Sequence, residues 1–262
     1  STDTANAIMI FEPDGTYAKS WGKDLAGGVH GVAIVKESGR ELLWLAHVGR
    51  HEVLKTTLDG EIVLRVGYPE KSGVYSKADD YRPTSVAVAP SGDVYVADGY
   101  GLSYIHHYTA KAEFLASWGG KGIEPGKFRT PHGIWVDTRR PTPRLVVADR
   151  ENRRIQTFGL DGTPIAVLAA EVRRPCNIDQ RGGDLAIADL EGRVTILDKD
   201  DKVITHLGDQ PDPKKRAQNG VPRAEWKEGE FIAPHGLRWD AAGNLYVSEW
   251  LAAGRVVKLR RV

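Results

Sequence analysis

Apolar and polar positions alternate along most of the chain, and the alternation stops every few residues at Gly, Pro or Asp-Gly. A period of two puts successive side chains on opposite faces of an extended backbone, so each run predicts a half-buried strand closed by a tight turn. No long stretch carries the apolar spacing of a helix. The runs also group in fours. The clearest group is Gly133-Ile134-Trp135-Val136, then Arg144 to Asp149, Arg154 to Phe158 and Pro164 to Leu168, with Asp161-Gly162 as a hairpin turn between the last two.

The group recurs from Thr84 to Trp118 and from Cys176 to Leu207, and starts again at His30 and at His235. Four-strand units of roughly 40 to 50 residues are the mark of a β-propeller, in which each blade buries its faces against its neighbours. Residues 1–262 are therefore expected to form a single all-β propeller domain. Complete first strands begin at His30, Thr84, His132, Cys176 and His235, but Ala7 to Gly22 already reads as the third and fourth strands of an earlier unit. The last unit ends at its third strand, Arg255 to Leu259. These ends predict a six-bladed propeller with an incomplete or irregularly closed first/last blade, its missing strands supplied from upstream of Ser1. A closed five-bladed ring is the alternative.

Three copies of one phrase carry the candidate chemistry: Val29-His30-Gly31-Val32, Pro131-His132-Gly133-Ile134 and Pro234-His235-Gly236-Leu237. The histidines are 102 and 103 residues apart, and in six blades they would fall on alternate ones. Three neutral imidazoles form the ligand set of a zinc site whose open position acidifies a water or substrate oxygen. Iron, copper, cobalt and nickel also suit them. The expectation is a metal-dependent lyase or hydrolase acting on a small-molecule substrate. Against it stands a plainer reading, in which each His-Gly makes a turn and the ring bonds nearby backbone.

A first strand starts where its antiparallel neighbour ends, so the second-strand ends share the rim with these histidines. Tyr100 is a candidate general acid or base, or else a packing aromatic. Arg150 is a candidate fork for a carboxylate or oxyanion, or else a partner of Glu151 or Asp149. His47 and Glu249 are candidate substrate contacts. Asp98, Asp149 and Asp189 recur at one repeat position, which assigns them to capping turns, while His106, His107 and His206 are read as non-ligands. The connections Gly67 to Arg82 and Gly208 to Ala233 are long and cross this rim.

Charge and cysteine content narrow the partners. With 36 basic and 35 acidic residues the formal charge is +1, which favours neither nucleic acid nor an anionic membrane. Lys214-Lys215-Arg216 reads as a solvated loop tip. No apolar run approaches the ~18 residues of a membrane span, and Ser1-Thr2-Asp3-Thr4 is not a signal peptide. A soluble protein is expected, cytoplasmic or exported with its leader removed. The single cysteine, Cys176, excludes an internal disulfide and leaves the compartment open.

The strings Arg82-Pro83-Thr84 with Asp98-Gly99-Tyr100, Pro131-His132-Gly133 with Asp149-Arg150-Glu151-Asn152 and Arg154-Ile155-Gln156, and Pro234-His235-Gly236 resemble NHL-repeat propellers. They resemble more closely the catalytic core of peptidyl-α-hydroxyglycine α-amidating lyase and its bacterial relatives, over nearly the whole chain. That resemblance implies zinc on His30, His132 and His235, Tyr100 as the active-site tyrosine and Arg150 beside the substrate. The implied reaction is cleavage of a carbinolamide N–C bond, releasing an amide and an aldehyde acid. The lyase carries an aspartate after its third zinc histidine that helps hold calcium; Gly236 stands there, so calcium is not expected. The lyase's disulfide cysteines are absent, and its first-blade arginine would precede Ser1. Two competing readings are a noncatalytic NHL propeller that binds a protein or other ligand, and a metal-free hydrolase of the strictosidine-synthase type using Glu249 or Glu151.

Overall fold

A computed structural model describes residues 5–261. The chain divides into two compact units, Ser1–Gly120 and Lys121–Val262. The first opens with a hairpin of β1 (Ile8–Phe11) and β2 (Tyr17–Trp21). Two antiparallel sheets of four strands follow. One holds β3 (Val29–Glu37), β4 (Arg40–His47), β5 (Glu52–Thr57) and β6 (Ile62–Val66) in chain order; the other holds β7 (Ser85–Val88), β8 (Val94–Ala97), β9 (Tyr104–Tyr108) and β10 (Phe114–Gly119).

The second unit contains β11 (Pro131–Asp137), β12 (Arg144–Asp149), β13 (Arg154–Phe158) and β14 (Pro164–Leu168) as one four-stranded sheet. A second is β15 (Pro175–Arg181), β16 (Asp184–Asp189), β17 (Arg193–Leu197) and β18 (Val203–Leu207), and a three-stranded sheet follows: β19 (Pro234–Trp239), β20 (Leu245–Glu249) and β21 (Arg255–Leu259). These are the up-and-down blades of an all-β propeller, with strand bounds close to those the alternation gives.

Blade number departs from expectation. Five blades form, not six, because β1 and β2 pair only with each other and remain a two-stranded sheet. The hairpin is held by packing instead: Ile8 and Trp21 lie on Leu43, Leu45 and Leu54 of the first blade and on Leu25 of the turn before it. The histidines thus stand in the first, third and fifth blades, and the argument from alternate blades of six lapses. No helix among the described residues is long and apolar enough to cross a membrane.

Burial runs by strand rank. β12 is buried along its whole length, whereas β14 is exposed except at Leu168. A strand covered on both faces must be apolar at nearly every position, which Leu145-Val146-Val147-Ala148 is. Val146, Ala148, Ile178, Leu185 and Ile187 join the two four-stranded blades of the second unit, as Trp44, Ala46, Val53, Val86, Val94 and Val96 join those of the first.

The glycines after the histidines answer to packing. Neither Gly31 nor Gly133 needs a left-handed backbone, but a Cβ on either would stand 2.3 Å from the carbonyl oxygen of Thr84 or Cys176, the start of the next blade. At Gly236 the nearest atom is the rotatable Ser248 Oγ at 2.7 Å. Gly133→Ala is therefore expected to lower unfolding free energy by about 1–3 kcal/mol, as overpacking does, and Gly236→Ala by clearly less. Urea unfolding of the two variants checks the order; equal losses would contradict it.

Candidate metal centre

Each candidate ligand stands at an irregularity in its strand. Val29 pairs with His47 and Gly31 with Ala46, so His30 is an extra residue without a cross-strand partner. The same shift falls between Pro131 and Gly133, between Pro175 and Asn177, and between Pro234 and Gly236. A bulge of this kind bends the strand and re-aims one side chain. It turns His30, His132, Cys176 and His235 alike.

In the second unit His132 and His235 come together. Their rings are 4.7 Å apart, edge to face, and each offers a ligand nitrogen within 4.8 Å of the other's. His132 Nδ1 lies 2.9 Å from the carbonyl oxygen of Cys176. A carbonyl only accepts, so Nδ1 carries the proton and donates it, leaving Nε2 as the metal-binding nitrogen. The Cys176 thiol is buried, which pushes its pKa up to about 12 despite the nearby Arg150, so it is a neutral neighbour and not a thiolate ligand. Arg150 donates from Nε to Glu151 at 2.9 Å, and Glu151 also takes Arg174 at 2.7 Å. Arg150 is thus the ion-pair partner of Glu151 that one of its two expected descriptions names, and its charge lies near the Cys176 thiol.

The first unit repeats the arrangement. His30 Nδ1 donates to the carbonyl of Thr84 at 2.8 Å, and its Nε2 accepts from the Tyr100 hydroxyl at 3.1 Å. The two rings meet edge to face at 5.0 Å. Tyr100 is 37 % exposed, so its hydroxyl is reachable from solvent.

No protein-family model matches the chain. It is 30 % identical over 166 residues to NHL repeat-containing protein 3 of Homo sapiens, covering 61 % of this chain and 47 % of that protein. It is 34 % identical over 166 residues to peptidyl-alpha-hydroxyglycine alpha-amidating lyase 1 of Drosophila melanogaster, covering 58 % of this chain and 29 % of that one. The chain is an NHL-repeat relative, close to the amidating-lyase core. It also matches peptidyl-glycine alpha-amidating monooxygenase B of Xenopus laevis at 34 % over 160 residues, 58 % of this chain and 18 % of that protein. The chain thus spans less than half the length of these relatives. Among solved structures, a protein of unknown function from Bacteroides caccae superposes with a TM-score of 0.63 at 14 % identity, over 97 % of this chain and 85 % of that one. A streptogramin B lyase gives 0.57 at 15 %, over 88 % and 68 %. Both likenesses concern the fold alone.

Elsewhere in the chain the second-strand ends are structural. Asp98 accepts the backbone N–H of Arg82 at 2.7 Å and of Leu102 at 2.6 Å; Asp149 accepts that of Arg129 at 2.7 Å; Asp189 accepts those of Arg173 and Arg174. Glu249 belongs to this series. It is buried, accepts the N–H groups of Ile232 at 2.6 Å and Ala233 at 2.9 Å, and pairs with Arg255. His47 fills the equivalent place in the first blade: its buried Nδ1 accepts the Arg50 N–H at 3.1 Å, and a Cβ on Gly28 would lie 1.8 Å from its ring. The structure does not bring His47 or Glu249 to an open surface.

Two residues outside the sequence reading complete the Tyr100 loop. Tyr75, from the long connection before β7, lies 2.7 Å from both Asp98 Oδ2 and His106 Nε2, and His106 Nδ1 lies 2.6 Å from Ser117 Oγ. Burial drives the His106 pKa down to about 3, so the ring is neutral. One proton pattern satisfies all four groups: Ser117 donates to His106, His106 to Tyr75, and Tyr75 to Asp98. Asp98 in turn ties both Arg82 and Leu102, on either side of Tyr100, whose own N–H reaches the Arg82 carbonyl at 3.2 Å.

Burial outweighs these bonds at Asp98 and raises its pKa to about 6. A carboxyl raised in the folded state contributes stability below its unfolded value of about 4, and loses it as pH rises through about 6. Asp98→Asn is expected to flatten the fall in unfolding free energy across that window, read by urea titrations at stepped pH. A slope equal to that of the unsubstituted chain would show that Asp98 does not titrate there.

Proposed function

We propose that His30, His132 and His235 together hold one divalent transition-metal ion, with zinc the best match, in a lyase acting on a small carbinolamide. The observation that carries this reading is the shared setting of His30 and His132. Each is a bulge residue, and each gives its Nδ1 proton to the first carbonyl of the following blade. The plainer reading also bonds each ring to nearby backbone; a metal ligand needs, beyond a fixed tautomer and ring plane, other donors beside its open nitrogen, and His132 and His235 offer nitrogens within 4.8 Å of each other. Two neutral imidazoles edge to face at 4.7 Å add to it, and the likeness to the Drosophila lyase names the reaction.

The metal would supply Lewis acidity toward a substrate hydroxyl. The chain supplies the rest. Tyr100 would give up its bond to His30 Nε2 when that nitrogen serves as a ligand, and as a phenolate would take the carbinol proton; the electron pair of the O–H bond forms the aldehyde C=O, the C–N bond breaks, and Tyr100 returns the proton to the nitrogen, which leaves as the amide. Arg150 holds the carboxylate of the substrate with the donors its bond to Glu151 leaves over. The likeness to NHL repeat-containing protein 3, whose name states no activity, supports the second reading of a binding propeller.

Elemental mass spectrometry on chain purified without chelator or nickel resin is expected to find about one transition metal per chain, and little in His132→Ala. Tyr100→Phe is expected to keep the metal and to lower turnover of an α-hydroxyglycine amide by about 10²–10⁴-fold, the usual contribution of a positioned proton acceptor. No metal in either protein rejects the centre; metal without turnover of that amide leaves the centre and rejects the reaction.

A further inference from the structure

At the strand ends opposite the histidines, the second unit has a cavity of about 500 Å³ between the end of β15 and the β19–β20 turn. Its walls include Arg181, Arg238, Trp239, Asp179 and Asp240. Both acids in it are already engaged. Asp179 accepts the Trp239 N–H at 2.8 Å and Arg238 Nη1 at 3.1 Å, while Asp240 is taken up by Asn244 through its N–H at 2.8 Å and its Nδ2 at 2.7 Å. Arg238 is fixed on a second side by the Trp135 ring, 5.1 Å from its guanidinium carbon.

Arg181 and Arg261 have no such partners: neither side chain makes a hydrogen bond or an ion pair among the described residues. Yet they converge. Cζ of Arg181 and Cδ of Arg261 each lie 2.9 Å from the point where a Cβ on Gly243 would stand. Gly243 sits at φ +90°, so the turn selects glycine, and its bare Cα lets two cationic chains pass over the same spot. Other arginines at strand ends of this unit are neutralised. Arg139 bonds Asp137 at 2.9 Å and Asp201 at 2.8 Å, and Arg144 bonds Asp201 at 2.6 Å.

We propose that this cavity is a binding site for a small oxyanion, the phosphate or carboxylate group of a metabolite-sized ligand. Arg181 and Arg238, the latter already oriented by Asp179 and Trp135, stand in the wall and supply planar forks of donors, and Arg261, outside the wall but beside Arg181 over Gly243, adds a third charge. The volume falls in the range of small-molecule sites, and Trp239 provides an apolar wall. Arg181 and Arg261 lie side by side with no ion pair of their own among the described residues, while Asp240 in the same wall is bonded by the neutral Asn244 and offsets part of their charge; a bound dianion offsets the rest. The site is independent of the metal centre.

Isothermal titration at low ionic strength with inorganic phosphate, and separately with malonate, tests it. Saturable binding of at least one anion is expected, weakened about tenfold in Arg181→Ala and in Arg261→Ala, and unchanged in Arg153→Ala, which removes an exposed arginine paired with Glu191. Quenching of Trp fluorescence on titration, lost in Trp239→Phe, localises the anion. The stronger of the two anions identifies the ligand chemistry. Absence of saturable binding by either anion, binding unchanged in both cavity variants, or equal weakening in Arg153→Ala overturns the proposal.

Discussion

Where a first strand begins is set by the buried acceptor that ends the strand beside it. In four blades that acceptor is a carboxylate, Asp98, Asp149, Asp189 or Glu249, and it collects backbone N–H groups of the connection coming in. A buried carboxylate without such donors would be costly, and so would the orphaned N–H groups. Together they satisfy one another and pin the entry point. In the blades of Asp149, Asp189 and Glu249 the bulge comes two or three residues later, and the bulge histidines His30 and His132 bond the first carbonyl of the next blade, which has been placed by its own acid. The donor set therefore depends on a repeated backbone constraint more than on the histidines themselves.

The first blade keeps this architecture with a different acceptor. His47 has lost part of its basicity, first to burial and then to the charge of Arg50. A neutral imidazole thus does with one nitrogen what a carboxylate does elsewhere with two oxygens. That single lone pair reaches one N–H, of Arg50, and the loop before β3 is held to the ring by contact with Gly28.

Much of this was legible in the sequence. The period-two runs located the strands, and the recurrence of Asp98, Asp149 and Asp189 gave their capping role. Glu249 escaped because it is longer and lacks the Ala-Asp string, although Tyr246-Val247-Ser248-Glu249 follows Val146-Val147-Ala148-Asp149 position for position. The hairpin at Ile8–Trp21 has the composition of outer blade strands, and composition does not say whether an edge finds a partner; the blade count therefore could not be read there. The bulges were hidden for a related reason, since an unpaired residue is defined by the register of its neighbour. Tyr75 meets Asp98 and His106 across 23 and 31 residues of chain, and no local pattern marks such a meeting.

The lone thiol gains a use from its place. Cys176 is 1 % exposed, lies on the bulge between two blades of the second unit, and is protonated at any ordinary pH. An alkylating reagent can reach it only while the start of β15 is lifted away from its neighbours. The rate at which the native chain is alkylated is then a clock for that opening, carried by the wild-type sequence without any label being introduced.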